Sequence, residues 1–189
     1  MTEDKQALRA RVRAARDAFV AEREASSLHG RQMRLVPPPL FMARLSPGLT
    51  VTSYVPMGSE ADPSPLARAA VDAGCFIALP HVTRRSEPMR FLAWSSEADL
   101  IPGPFGLHQP DHESPALAPD IILAPLVAFD GKLNRLGQGA GYYDGAFAAF
   151  PHAWRIGIAW SVQRVDALPV DAWDVPLHAV VTEQEWITL

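Results

Sequence analysis

The residues best suited to chemistry lie in "NRLGQGAGYYDG", positions 134–145. Arg135 carries a planar fork of donors that matches phosphate oxygens. Gly137, Gly139 and Gly141 follow it at alternate positions. Glycine loses more backbone freedom on folding than any other residue, so this density points to a tight turn or to a close approach by something else. Bare backbone N–H groups in such a loop, and a helix N-terminus beyond it, both favour an anion. Asp144 comes next, and a carboxylate beside bound phosphate is repulsive. A divalent cation resolves the conflict, because Mg2+ is commonly held by one or two carboxylates plus substrate phosphates. The local reading is a nucleotide-phosphate site with Mg2+. The spacing fits neither G-x-G-x-x-G nor a loop ending in G-K-[ST], so a plain glycine turn stays open on the loop alone.

Such a loop needs a strand before it and a helix after it. "DIILAPLVAF" (120–129) is the most apolar run and predicts the central strand of a sheet. A short helix is expected near 141–150. Upstream, "LTVTSYVP" (49–56), "CFIALP" (75–80) and "MRFLAW" (89–94) read as strands, and "RIGIAW" (155–160) and "AVVTE" (179–183) complete the set. "SPLARAAVDAG" (64–74) reads as a helix capped by Ser64, with Pro65 in its first turn and Gly74 at its end. Residues 26–45 predict one or two short helices broken by Pro37, Pro38 and Pro39. Alternating strands and helices indicate an α/β fold with a mainly parallel sheet, whose ligands bind beyond the carboxyl ends of strands.

The first helix spans residues 4–24. Leu8, Val12, Ala15 and Phe19 form one apolar stripe. At about 100° per residue, Lys5, Arg9 and Arg16 fall together beside that stripe. The helix therefore docks while presenting a cationic edge, which is either a solvated face or a binding surface.

Bulk properties narrow the classes. The 189 residues suit one domain, 1–189, and 48% hydrophobic content supports a packed core. A net charge of -4 argues against a general attraction to nucleic acid or anionic membrane. Aromatic residues are not interleaved with the basic ones, which further disfavours a nucleic-acid module. With Cys75 as the single cysteine, no intrachain disulfide is possible, which fits a reducing, cytoplasmic setting. No apolar run approaches the ~18 residues of a membrane span, and acidic residues interrupt the N-terminus where a targeting signal would be apolar or purely basic. The six histidines, His29, His81, His108, His112, His152 and His178, are scattered and none is assigned to a metal. Cys75 and the five tryptophans read as packing residues, with Trp160 at a strand end also placed to line a pocket.

The longer string "APLVAFDGKLNRLGQGAGYYDGAF" resembles the signature of the 5-formyltetrahydrofolate cyclo-ligase family, P-x-x-x-F-D followed by R-L-G-x-G-x-G-Y-Y-D. "KQALR" (5–9), "SYVPMGSEAD" (53–62), "ALP" (78–80), "MRF" (89–91), "GPFGLHQP" (103–110) and "LPVDAWDVPLHAVVTE" (168–183) resemble other family segments in the family order.

The resemblance implies a single three-layer α/β/α domain, cyclo-ligase-like, with a mainly parallel sheet. It implies an ATP- and Mg2+-dependent ligase that converts 5-formyltetrahydrofolate to 5,10-methenyltetrahydrofolate with release of ADP and phosphate. The γ-phosphoryl group would pass to the formyl oxygen, N10 would attack the activated carbon, and phosphate would leave on ring closure. By matching position, Lys5 and Arg9 would reach ATP phosphates, and Arg135, Leu136, Gly137, Gln138, Gly139, Ala140, Gly141, Tyr142 and Tyr143 would form the ATP loop. Lys5 and Arg135 would be the catalytic cations. Asp144 and Asp174 would hold Mg2+, while Val55, Glu60 and Tyr142 would contact the folate. The implied partners are small molecules only, ATP and a reduced folate, acting on a monomer.

Five positions depart from the family pattern. Gln138 and Ala140 stand where some relatives are basic. Leu133 stands where glycine is common, Gly145 where arginine is frequent, and Gln109 where glutamate is often seen. A homologue acting on another formyl or amide substrate, and a non-catalytic folate-binding protein, are the competing readings. Intact Lys5, Arg135, Asp144 and Asp174 favour catalysis, because a pure binder needs no metal carboxylates.

Overall fold

The computed structural model describes residues 4–26, 34–84 and 87–189. In chain order the helices are α1 (Lys5–Ser26), α2 (Pro39–Met42), α3 (Ser64–Asp72) and α4 (Tyr142–Ala149). The strands begin with β1 (Thr50–Thr52), β2 (Phe76–His81), β3 (Arg90–Ala93), β4 (Ile101–Pro102) and β5 (His108–Gln109). After them come β6 (Ile121–Pro125), β7 (Ala128–Phe129), β8 (Arg135–Leu136), β9 (Trp154–Ile158), β10 (Ala179–Val181) and β11 (Trp186–Thr188).

Seven strands form one sheet in the order β11-β10-β9-β6-β1-β2-β3. The five inner strands pair in parallel, and only the edges, β3 and β11, run antiparallel. β6 lies fourth of seven, at the centre, as its continuous apolar run requires. Side chains alternate across the sheet with the strand period of two. Val51, Ile77, Leu123 and Ile156 meet α2 and α3 in one core. Their neighbours Ala78, Ile122, Ala124 and Val180 meet α4 in the other. Helices on both faces make the three-layer α/β arrangement. Among the described residues no helix is long and apolar enough to cross a membrane.

Several boundaries differ from the sequence expectations, each for a local reason. The run 120–129 divides after Pro125 because Gln163 Nε2 takes the carbonyls of Leu126 and Val127, at 2.8 and 3.0 Å. β7 then pairs with β8 in a separate hairpin. β1 stops at Thr52, where the chain folds back and the Tyr54 hydroxyl donates to Ala61 O at 2.6 Å. Ser64 is not the cap of α3: it is the first helical residue, and the Asp62 carboxylate receives its N–H at 2.9 Å. Of the helices expected in 26–45, α2 is present at Pro39–Met42, while residues 27–33 lie outside the described residues. β11 was not expected; "WIT" is too short and too polar in context to show a period.

Gly157 in β9 shows how tightly the sheet packs beneath the hairpin. A Cβ there would lie 2.6 Å from Leu177 Cδ1 and 2.8 Å from Leu126 Cδ2. Gly157→Ala is therefore expected to destabilise by about 1–3 kcal/mol through overpacking. Thermal unfolding would show this as a fall in Tm of several degrees.

Candidate active site

The hairpin β7–β8 is built on Asp130. This buried carboxylate accepts the N–H groups of Lys132, Asn134 and Leu168 and the side-chain amide of Asn134, at 2.9 to 3.2 Å. The turn it closes passes through Leu133 at φ 61°, a left-handed conformation held by a fully buried side chain. β8 then delivers Arg135 into the protein, not into an open loop. Its side chain is only 4% exposed. Nη1 donates to Pro125 O at 3.3 Å and Nη2 to Asp144 Oδ1 at 3.0 Å, while Nε is buried without a partner. The guanidinium lies 5.5 and 5.4 Å from the ring centres of Tyr143 and Phe147.

The three glycines have separate reasons. A Cβ at Gly137 would sit 2.7 Å from Arg135 Nη1, so one group that approaches the loop is the protein's own arginine. Gly139 and Gly141 adopt φ +102° and +75°, which side chains on L residues resist. Gly141 caps α4, and Asp144 stands in that helix's first turn, where the N-terminal partial charge favours a carboxylate.

Helix α1 packs across this hairpin through Leu8 and Val12, which join Val127, Leu136 and Leu168 in a small core. Its cationic edge is consequently docked and not solvated. Lys5 Nζ lies 2.7 Å from both Asp171 Oδ2 and Asp174 Oδ2. Arg9 Nε donates to Gly137 O at 2.8 Å. Arg13 donates to Gln138 Oε1. Arg16 is buried and donates from Nε to Ser59 Oγ at 2.8 Å. Burial pushes the Lys5 ammonium down, but the hydrogen bonds to Asp171 and Asp174 outweigh it and leave its pKa above the ordinary lysine value. Burial likewise pushes Asp174 up, yet the Asp171 N–H and the Lys5 ammonium hold its carboxyl below the ordinary range.

Glu60 occupies the turn after β1. Its two oxygens accept from Met57 N at 3.0 Å and from Gln138 Nε2 at 2.9 Å. Trp160 Nε1 donates to Ser59 O at 2.9 Å, which assigns that tryptophan to holding the Glu60 turn. Burial, followed by the Glu60 charge, pushes the phenols of Tyr54 and Tyr143 well above their ordinary range, so both stay neutral at physiological pH. The Tyr142 hydroxyl is buried without a partner, and Val55 is half-buried just past β1.

Lys5, Arg9, residues 135–143, Asp144, Asp174 and Glu60 thus gather beyond the carboxyl ends of β1, β6 and β9. Val55 lies at the same end of the sheet. Among the described residues no three His, Cys, Asp or Glu side chains converge as a metal cluster. The histidines stand apart: His81 is buried in β2, where burial with Arg90 and His112 lowers its pKa, and His29 lies outside the described residues. Cys75 is buried, donates to Ser46 O, and has its pKa raised chiefly by burial. Three residues of this cluster were not singled out from sequence: Asp171, Asp130 and Arg13. The "FDGKLN" turn composition was the available sign for Asp130; the other two have meaning only through partners far along the chain.

The likeness to known proteins agrees with the geometry. The sequence model of the 5-formyltetrahydrofolate cyclo-ligase family matches residues 1–183. The Escherichia coli K12 5-formyltetrahydrofolate cyclo-ligase is 33% identical over 159 residues, 79% of this chain and 85% of that protein. The Mycolicibacterium smegmatis cyclo-ligase is 30% identical over 151 residues, 74% of this chain and 76% of that protein. Among solved structures, the Aquifex aeolicus 5,10-methenyltetrahydrofolate synthetase superposes with a TM-score of 0.70 at 29% identity, covering 97% of this chain and 92% of the other. The Mycoplasma pneumoniae synthetase shares the fold, with a TM-score of 0.63 at 22% identity over 96% of this chain and 99% of that one. With its signature loop, its three-layer fold and these likenesses, the chain belongs to the 5-formyltetrahydrofolate cyclo-ligase family.

Proposed function

We propose that this cyclo-ligase couples ATP cleavage to the conversion of 5-formyltetrahydrofolate to 5,10-methenyltetrahydrofolate, with Mg2+, and releases ADP and phosphate. One observation carries the reading. Two cations, Lys5 and Arg135, are each paired with one of the two carboxylates, Asp174 and Asp144, around a glycine loop that opens a helix. Phosphoryl transfer needs positioning and charge neutralisation more than covalent help from the protein, and this set supplies both.

The carboxylates fit a divalent ion that is shared with a substrate. Asp144 and Asp174 keep 24% and 18% of their side chains exposed, and each is already neutralised by a neighbouring cation. Mg2+ held there would screen phosphate charge and polarise the transferred group. Lys5 and Arg135 would then turn from the carboxylates to phosphate oxygens, while Arg9 and the N–H groups of residues 137–143 orient the triphosphate. Glu60 would accept hydrogen bonds from the pterin N–H edge, with Val55 and Tyr142 lining the folate. The γ-phosphoryl group would pass to the formyl oxygen with ADP leaving, N10 would attack the activated carbon and lose its proton, and phosphate would leave as the ring closes.

The test is an absorbance assay. The protein, 5-formyltetrahydrofolate, Mg2+ and ATP are mixed, and the near-ultraviolet band of the methenyl product is followed against a control without ATP. An ATP-dependent rise is expected. No rise with folate still bound would indicate a sequestering protein and overturn the catalytic reading.

A further inference from the structure

Glu60 and the glycine loop are 78 residues apart, yet one side chain joins them. Gln138 receives Arg13 Nη2 on its amide oxygen and gives its amide N–H to Glu60 Oε1 at 2.9 Å. An amide satisfies a cation on one side and a carboxylate on the other in a single orientation. Glu60 has little freedom of its own. Its second oxygen is held by Met57 N, and the preceding Ser59 is fixed by Arg16 and Trp160. The loop's end of this link is Gln138. Gln138 lies between Gly137, whose carbonyl accepts Arg9, and Gly139, which is left-handed.

We propose that Gln138 is a positioning residue that couples the two substrate sites. Phosphate that holds the loop in this arrangement would also hold the Gln138 amide against Glu60, and Glu60 held by the pterin would fix the loop in turn. The inference rests on the reading of the loop as the ATP site and of Glu60 as the folate carboxylate. It gives position 138 a role that does not require a basic side chain: a neutral amide can face Arg13 and Glu60 together, which a lysine or arginine cannot.

Coupling of this kind is reciprocal, so each ligand must tighten the other by the same factor. The experiment is calorimetric titration of the full chain with 5-formyltetrahydrofolate, with and without a non-hydrolysable ATP analogue and Mg2+, and the converse titration. For the unaltered protein we expect mutual tightening of about tenfold. Gln138→Ala should bind each ligand alone but leave a coupling factor within about twofold of unity. Arg13→Ala should act in the same direction, and Arg13→Lys, which keeps a donor for the amide oxygen, should restore the coupling. Thermal unfolding confirms that the variants fold. Full coupling in Gln138→Ala, or none in the unaltered protein, overturns the proposal while the assigned reaction stands. If the unaltered protein binds neither ligand, the assigned reaction fails and the inference with it.

Discussion

Arg135→Ala is expected to lower kcat by about 10²–10³-fold, the range found when one preorganised donor at a developing charge is removed. The guanidinium is already in place, gripped by Pro125 O, Asp144 and two aromatic rings. On the proposed reading it exchanges Asp144 for a phosphate oxygen when ATP binds, and the substitution removes that donor. The same grip means that the variant is not structurally silent. Asp144 loses its counter-ion, and the space under Gly137 empties. A stability loss of about 1–3 kcal/mol is expected from the groups left unpaired, read as a lower Tm. Arg135→Lys should restore the charge but not the fork, because an ammonium cannot serve Pro125 O and Asp144 in one plane. Steady-state kinetics beside thermal unfolding separates the two effects. A folded Arg135→Ala variant with near-normal kcat would remove Arg135 from the chemistry.

Lys5→Ala is expected to be nearly as damaging, at about 10²-fold or more in kcat/KM, and its pH dependence is diagnostic. Lys5 is held above its ordinary pKa of about 10.4 and Asp174 below its ordinary value of about 3.9. A raised lysine contributes stability that is complete below its unfolded pKa and is lost as pH rises through the folded one. A depressed aspartate contributes stability that is complete above its unfolded pKa and is lost as pH falls through the folded one. Both contributions are constant across about pH 5–9, the window between the two unfolded values. The defect in Lys5→Ala should therefore be the same at pH 6 and pH 8.5. A variant rescued by changing pH within that window would show that Lys5 acts through titration and not as a fixed charge.

Much of this site could be read from residue types alone, because its central part is local. Arg135, the glycines and Asp144 fall within one short string, and the apolar run before them marks the strand that carries them. The parallel sheet was legible for the same reason: buried inner strands are continuous apolar runs. Legibility failed where a side chain replaced a backbone partner. Gln163 ends β6 by taking two carbonyls, and no pattern near Pro125 announces it. It failed too where contacts are distant. Lys5 and Asp171 are 166 residues apart, so helix periodicity showed that α1 has a cationic edge but not what that edge meets. Gly137 is instructive in another way: the density of glycine correctly signalled a close approach, and one of the approaching groups proved to be Arg135 itself.

Leu133 has a consequence of an evolutionary kind. A left-handed leucine stores about 1–3 kcal/mol of backbone strain, which a glycine would release. The same leucine is fully buried, and deleting such a side chain costs about 2–5 kcal/mol. Exchange for glycine would trade relief of strain against loss of burial. The genetic code offers no single-base route from leucine to glycine, and the intermediate residues are valine, arginine or tryptophan. Valine keeps the strain in a stiffer side chain, arginine brings a charge into the core, and tryptophan overfills it. Leucine here is two bases from glycine, and the hairpin that presents Arg135 rests on the hydrophobic support of this side chain.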